Sequence, residues 1–375
     1  MDISALSGHE VANVSEVASP ALLLYPHRAK ENILRLLAFV GGDAARLRPH
    51  VKTHKLGAIV RMQLDAGISK FKCATIAEAE MTADAGAPDV LLAYQMVGPN
   101  VARICTLSKR FPDTRFSVLV DNSESLRALS QAAAAENVSL GAFIDIDCGM
   151  HRSGIEPGDA ARQLYRELSD SPGIEARGLH AYDGHIHDEA EAVRSERSDV
   201  AMTPVEEFRS ELLAEGLPVP TVIAGGTPTF PMQAQRPWVE CSPGTCLLTD
   251  AGYGTAYTDM EFVPAAFLLT RVISKPGRNR LCLDLGHKAV AAENPIANRV
   301  RFPALPDAVP LSQSEEHLVI ETHRADEFSV GDVFYGLPWH ICPTLALYSE
   351  AAIVSAQGEV TDRWPILARA RSITV

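Results

Sequence analysis

No stretch of this chain approaches the roughly 18 uncharged apolar residues that a membrane span needs. The opening residues, MDISALSGHEVANVSE, carry acids and no apolar run, so no targeting signal is expected. Lysine- and arginine-rich blocks are missing, aromatics make up only 6% of the residues, and the formal net charge is -13. Such a balance excludes nucleic acid as a partner and favours small-molecule chemistry. The seven cysteines (Cys73, Cys105, Cys148, Cys241, Cys246, Cys282, Cys342) are odd in number and form no CxxC. They are read as reduced thiols of a cytoplasmic protein, and any cysteine with a task is expected to bind metal. There is no GxGxxG after the first apolar run, and no HExxH.

What is present is a sustained alternation. The short runs ALLLYP (21–26), RLRPHVK (46–52), KFKCA (70–74), DVLLAYQ (89–95), RFSVLVD (115–121), GAFIDIDC (141–148), ARGLHAYDG (176–184) and PTVIAGG (220–226) are separated by stretches with helical spacing, such as Ile33, Leu34, Leu37 and Val40. Eight strand candidates joined by helices or long loops predict an α/β fold, a (β/α)8 barrel over 18–255. Polar residues gather at the strands' C-terminal ends (Lys52, Asp145, Asp147, Tyr182, His185), where a barrel keeps its active site; an open doubly wound sheet is the alternative. From 256 to 375 the texture changes to strand-like segments between turns: AAFLLTRVISKPG, RLCLDLG, HLVIETH, VFYGLPWHIC, EAAIVSA and ILARARSITV. These predict a mostly β domain, with residues 1–17 packed on it.

Within RPHVKTHK (48–55), strand parity places Arg48, His50 and Lys52 on one face and Pro49 and Val51 on the other. If the apolar face meets the surrounding helices, Lys52 points into the barrel mouth above His50. A lysine inward beside Arg and His loses its proton more readily, as Schiff-base chemistry requires; the alternative is a structural lysine paired to Asp145 or Asp147. Thr53 is expected to cap a helix beginning HKLGAIV, which leaves Lys55 in its first turn as an ordinary solvated residue. His54 receives no role.

Four further stretches carry chemistry. IDIDCGMHRSGI (144–155) sets inward acids before a turn with His151 and Arg152, suited to an anion or phenolate or simply to tying down a loop. AGGTPTF and ECSPGTCLLTDAGYG offer Gly225, Gly226, Thr227, Gly244 and Thr245 to a phosphate, although a lone Gly-Gly-Thr is often only a turn. AYDGHIHD places Tyr182, His185 and His187 at the end of a strand, where a histidine can act as acid or base. In WHICPTLAL, a strand would put His340 and Cys342 on one face, a pair that suits zinc and leaves positions open for a substrate; a buried core pair is the alternative.

Taken together and in order, RPHVKTHK, CGMHRSGI, AGGTPTF, ECSPGTC and WHICPT resemble the D-threonine aldolase and D-serine dehydratase family, the fold-type III pyridoxal-phosphate enzymes related to alanine racemase. The resemblance spans nearly the whole chain. It implies an alanine racemase-like barrel carrying pyridoxal phosphate, a β domain carrying a divalent metal (zinc or manganese, with magnesium a further candidate), and a homodimer. Carried over by motif, Lys52 is the Schiff-base lysine and Arg152 lies near the phenolic oxygen. Tyr182 lies near the pyridine ring, and Gly225, Gly226, Thr227, Gly244 and Thr245 bind the phosphate. His50 and Tyr253 complete the cofactor set, and His340 and Cys342 hold the metal. The acidic-His element of the family corresponds to Glu315–His317, without an assigned role.

The resemblance implies a lyase acting on D-3-hydroxyamino acids. In the aldolase reaction His185 or His187 takes the hydroxyl proton and Cα–Cβ cleavage gives glycine and an aldehyde. In the dehydratase reaction, on D-serine or D-threo-3-hydroxyaspartate, Lys52 takes the α-proton and a 2-oxo acid and ammonia result. The two histidines near Tyr182 favour the aldolase; the HxC pair, where aldolases often carry HxD, favours the dehydratase, and better-known aldolases have a histidine directly after the tyrosine. An amino-acid racemase and a non-catalytic pyridoxal-phosphate carrier are the remaining readings.

Overall fold

The structure, a computed structural model, describes residues 6–375. Residues 1–5 of the expected N-terminal packing segment lie outside the described residues. Two compact units form: residues 36–244 with 370–375, and the chain through Arg35 with Thr245–Arg369. No helix among the described residues is long and apolar enough to cross a membrane.

The first strand, β1 (Ala21–Leu24), is where expectation and structure part. It does not open the barrel. It joins the sheet of the second unit, described below. The barrel unit is built on seven parallel strands in sequential order: β2 (Lys70–Cys73), β3 (Asp89–Gln95), β4 (Arg115–Val120), β5 (Leu140–Ile146), β6 (Ile174–Ala181), β7 (Thr221–Ala224) and β8 (Val239–Cys241). The short WVEC run, not expected as a strand, is thus the last of them. The two edges are joined by the segment 47–50, which bridges to β8 at Leu47 and Cys241 and to β2 at His50 and Lys72. Backbone bonds from Arg48 N to Cys241 O (2.9 Å) and from Val51 N to Lys72 O (2.9 Å) close the ring, so no strand edge is left open there.

Inside the ring, Leu91, Leu119, Phe143 and Ile223 from β3, β4, β5 and β7 pack as a buried cluster, the side-chain filling that makes such a barrel a core and not a pore. Nearer the strands' starts the filling is ionic. Arg48, fully buried, donates to Asp89 (2.6 Å) and Glu240 (2.9 Å), and Arg177 donates to the same Asp89 (3.0 Å). A buried guanidinium is tolerated only when paired in this way.

The second unit adds β9 (Ala266–Ser274), β10 (Arg280–Leu283), β11 (Val300–Arg301), β12 (Val309–Gln313), β13 (Leu318–Glu321), β14 (Val333–Pro338), β15 (Glu350–Val354) and β16 (Val360–Pro365). Its main sheet runs β12-β13-β10-β9-β1-β15-β16, with β14 pairing β9 and β11. β1 lies between β9 (antiparallel) and β15 (parallel), so its all-apolar ALLL run is buried at the centre of this sheet. Val11, Val17 and Tyr25 pack with Phe267 and Leu337 in the same core, and Val11 N donates to Tyr335 Oη at 2.9 Å. The segment ILARARSITV, expected as a strand, follows Pro365 as a short turn (Leu367–Arg369); proline cannot donate to a ladder, and pairing ends there.

Candidate active site

In the barrel unit Lys52 sits in the turn after the closing segment, half-buried, two residues past the last bridge at His50. Its backbone N–H donates to His50 Nδ1 at 3.3 Å. Tyr182, just past β6, is the centre of what surrounds it. Lys52 Nζ lies 5.8 Å from the Tyr182 ring centroid, Lys72 Nζ 5.4 Å and the Arg152 guanidinium 5.0 Å, so three cations converge on one aromatic ring. The sequence makes room for this ring with Gly184, where an added Cβ would meet it at 2.3 Å. Asp183 pins the same loop, accepting from Thr229 Oγ1 (2.9 Å) and Gln233 Nε2 (2.8 Å).

The inner acids divide their tasks. Asp145, buried, accepts from His180 Nδ1 (2.7 Å), Ser153 Oγ (3.0 Å) and Gln95 Nε2 (2.9 Å), so it is bonded to a histidine instead of to Lys52. Burial works against its charge, but these donors outweigh that and keep its pKa below the ordinary carboxylate value. Asp147 is a loop cap, accepting from Gly149 N (2.9 Å), His151 N (3.0 Å) and His151 Nδ1 (2.9 Å). Because Asp145 takes the Nδ1 proton of His180, Nε2 is free to accept from Lys72 Nζ at 3.3 Å. Burial, then the like charge of Lys52, lowers the Lys72 pKa to about 7. Burial first, then Lys52 and Lys72, puts His50 well below its usual value and keeps the ring neutral.

The two lysines of RPHVKTHK are distinct, but not as expected. The helix begins at Gly57, not at Thr53, and Lys55 precedes it in a left-handed conformation (φ 50). Far from being solvated, its Nζ pairs with the fully buried Glu78, which also accepts from Ala74 N at 2.6 Å. Glu78 lies on the helix Ile76–Asp84, whose start is capped by Thr75, and no local pattern in the motif announces that partner. His54 is buried as well, its Nδ1 accepting from Leu56 N (3.2 Å) and its pKa pushed down to about 3, mainly by burial.

Of the proposed phosphate residues, four lie in the barrel unit. Gly225 has φ 82, a Cβ on Gly226 would lie 3.2 Å from the Tyr182 ring, and Gly244 N donates to Thr227 Oγ1 at 3.2 Å. That bond ties the two turns together. Thr245 belongs to the other unit and approaches Cys342 Sγ at 3.5 Å. Tyr253 there is edge-on to Tyr257, 5.3 Å away. His185 lines a cleft of about 640 Å³ with Asp147, Gly149 and His151, and its Nδ1 has no partner; His187 is exposed.

In the second unit the strand expected through His340 and Cys342 stops at Pro338. His340 is instead the extended N-cap residue of the helix Ile341–Leu345, and Cys342 lies in its first turn, so the turn brings the two together in place of strand parity. Pro343 is tolerated there because first-turn N–H groups have no helical acceptor. His340 Nδ1 also meets Glu293 at 2.7 Å. Burial opposes its charge, yet Cys342, Asp250 and Glu293 prevail and raise its pKa to about 9: an electron-rich setting that suits a cation. Among the described residues no three His, Cys, Asp or Glu side chains converge as ligands, so the pair would leave most of a metal's positions open. Glu315 and Glu316 of the acidic-His element are exposed and pair with Lys288.

The model of the alanine racemase N-terminal domain matches residues 26–251, more than half of the chain. The chain belongs to the alanine racemase N-terminal domain family. A D-serine dehydratase-like domain model matches 265–354 of this alanine racemase relative. It is 29% identical over 366 residues to a D-threonine aldolase of Arthrobacter sp., covering 95% of this chain and 94% of that protein. It is 29% identical over 382 residues to a 3-hydroxy-D-aspartate aldolase of Paracoccus denitrificans, covering 99% and 96%. The crystal structure of a D-threonine aldolase from Filomicrobium marinum superposes with a TM-score of 0.88 at 27% identity, covering 97% of this chain and 99% of that one. The alanine racemase family implies pyridoxal phosphate, and the residues present fit it. Three cations over Tyr182 suit an anionic aromatic ring, and a half-buried lysine amine with no carboxylate bonded to it suits an aldehyde.

Proposed function

We propose that this chain is a pyridoxal-phosphate- and divalent-metal-dependent lyase that cleaves D-3-hydroxyamino acids, D-threonine among them, to glycine and an aldehyde. The observation that carries the reading is the placement of Lys52 with Lys72 and Arg152 around Tyr182, while both inner aspartates are engaged elsewhere. Lys52 would hold the cofactor's aldehyde, Arg152 and Tyr182 its ring, and the turns at 225–227 and 244 its phosphate, with His50 in support. The cofactor, when bound, supplies the electron sink that lets a bond at Cα break. His340 and Cys342 would hold a zinc or manganese ion, which would supply Lewis acidity for a hydroxyl.

The chain's own residues handle the protons. His185 is the base we assign to the substrate hydroxyl: it lines the cleft beside Asp147 and Gly149, and burial lowers its pKa and favours the neutral ring. His187 is the second candidate. Lys52 would carry a proton to Cα. Product analysis tests the reading. With cofactor and metal present, D-threonine should yield glycine and acetaldehyde. A 2-oxo acid and ammonia from D-serine or D-threo-3-hydroxyaspartate would replace it with the dehydratase, and interconversion of enantiomers that survives chelation would replace it with a racemase. The resemblance also carries a homodimer, which light scattering on the purified protein checks.

A further inference from the structure

Lys72 is one of the three cations around Tyr182, but the roles assigned above give it no task of its own. It is 3% exposed, on β2 between the buried Phe71 and Cys73, and burying an amine there is costly unless the site uses it. Its surroundings form a chain. Ser153 at the barrel rim donates to Asp145, Asp145 accepts from His180, and His180 accepts from Lys72, whose Nζ ends against the Tyr182 ring shared with Lys52 and Arg152.

We propose that Lys72 is a second amine of the cofactor site, a positioning residue whose gain and loss of a proton, through His180 and Asp145, changes the charge presented to the anionic cofactor. The inference rests on the assignment of Lys52 and its cofactor given above. The charged and titratable groups facing Lys72 are Lys52 and His50 from the closing segment and its turn, His180, Tyr182 and Asp183 from β6 and its loop, and Asp145 and Arg152 from β5 and its loop. Among them burial lowers the pKa of both histidines, and Asp145 is held charged by its donors. Burial raises the pKa of Asp183, against which the Thr229 and Gln233 donors work, and Lys72, with its pKa brought down to about 7, changes charge near neutrality in the cofactor-free site. With Lys52 taken up by the cofactor, a protonated Lys72 stands beside the Arg152 guanidinium at the Tyr182 ring, and a neutral Lys72 leaves the guanidinium alone there.

Two measurements test this. In the protein loaded with pyridoxal phosphate, the cofactor's absorption should change with pH, and Lys72→Met should remove that transition; because the cofactor takes up Lys52 and adds negative charge, the midpoint should lie above the value of about 7 of the cofactor-free site. Lys72→Arg, which keeps the charge, should hold the low-pH spectrum throughout, and His180→Gln should move the midpoint. Borohydride reduction and peptide mass spectrometry should find the cofactor on Lys52 in every variant. Without cofactor, the unfolded chain binds the Lys72 proton more tightly than the folded one, so stability should rise from about pH 7 to about pH 10, and Lys72→Met should flatten that rise. A Lys72→Met transition within about 0.3 pH units of the wild type, or an unflattened stability profile, overturns the proposal. Absence of cofactor from Lys52 in the wild type overturns the assignment of function instead.

Discussion

Replacing Lys55 tests whether the second lysine of RPHVKTHK is a folding residue. Glu78 is fully buried and its carboxylate is satisfied by Lys55 Nζ and the Ala74 N–H. Lys55→Ala removes the counter-charge and leaves the carboxylate in the core, which costs about 3–5 kcal/mol when one partner of a buried pair is lost. For a unit of this size about 2–4 °C in Tm accompanies each kcal/mol, so the expected drop is roughly 6–20 °C. A second feature refines the number. Lys55 has φ 50, a conformation that costs a residue with a Cβ about 1–2 kcal/mol, so Lys55→Gly should be less damaging than Lys55→Ala. The assay is denaturant unfolding of the single variants, Glu78→Gln and the pair. The double variant should recover much of the loss, because the uncompensated charge is gone. A Lys55→Ala loss below about 1 kcal/mol, the range of an exposed pair, refutes the reasoning.

Lys52→Ala should abolish borohydride-trappable cofactor while leaving the unfolding midpoint nearly unchanged, since its amine makes no ion pair among the described residues; peptide mass spectrometry checks the first and denaturation the second. Chelation should remove activity, with zinc or manganese restoring it, and Cys342→Ala should bind the restoring metal at least about tenfold more weakly by titration. Asp89 concerns acid stability. Burial alone would raise its pKa, but Arg48 and Arg177 lower it, so the folded state holds the proton less tightly than the unfolded chain. The stabilisation is present above the unfolded value of 3.8 and lost as pH falls through the lower folded value. Asp89→Asn should cost about 1.5–3 kcal/mol for each charged hydrogen bond lost and flatten the acid limb of the stability profile below about pH 4.

Local periodicity and motif order carried much of the reading. The alternation of apolar runs and helical spacing marked six of the barrel's seven strands and the closing segment, and the motifs from RPHVKTHK to WHICPT pointed to the family and singled out Lys52, Arg152 and Tyr182. These are properties of neighbouring residues, fixed by the two-residue period of a strand and the 3.6-residue period of a helix. What the tertiary structure decided depends on partners far away in the chain. ALLL reads alike in either sheet, and only pairing with β9 and β15 assigns it to the second unit. Lys55 is buried because Glu78 sits opposite, and the barrel closes through Leu47 and His50 on strands at both ends of the sheet. Lys72 and His180 meet across 108 positions, and burial, which no spacing encodes, turns an ordinary amine into one that titrates near neutrality.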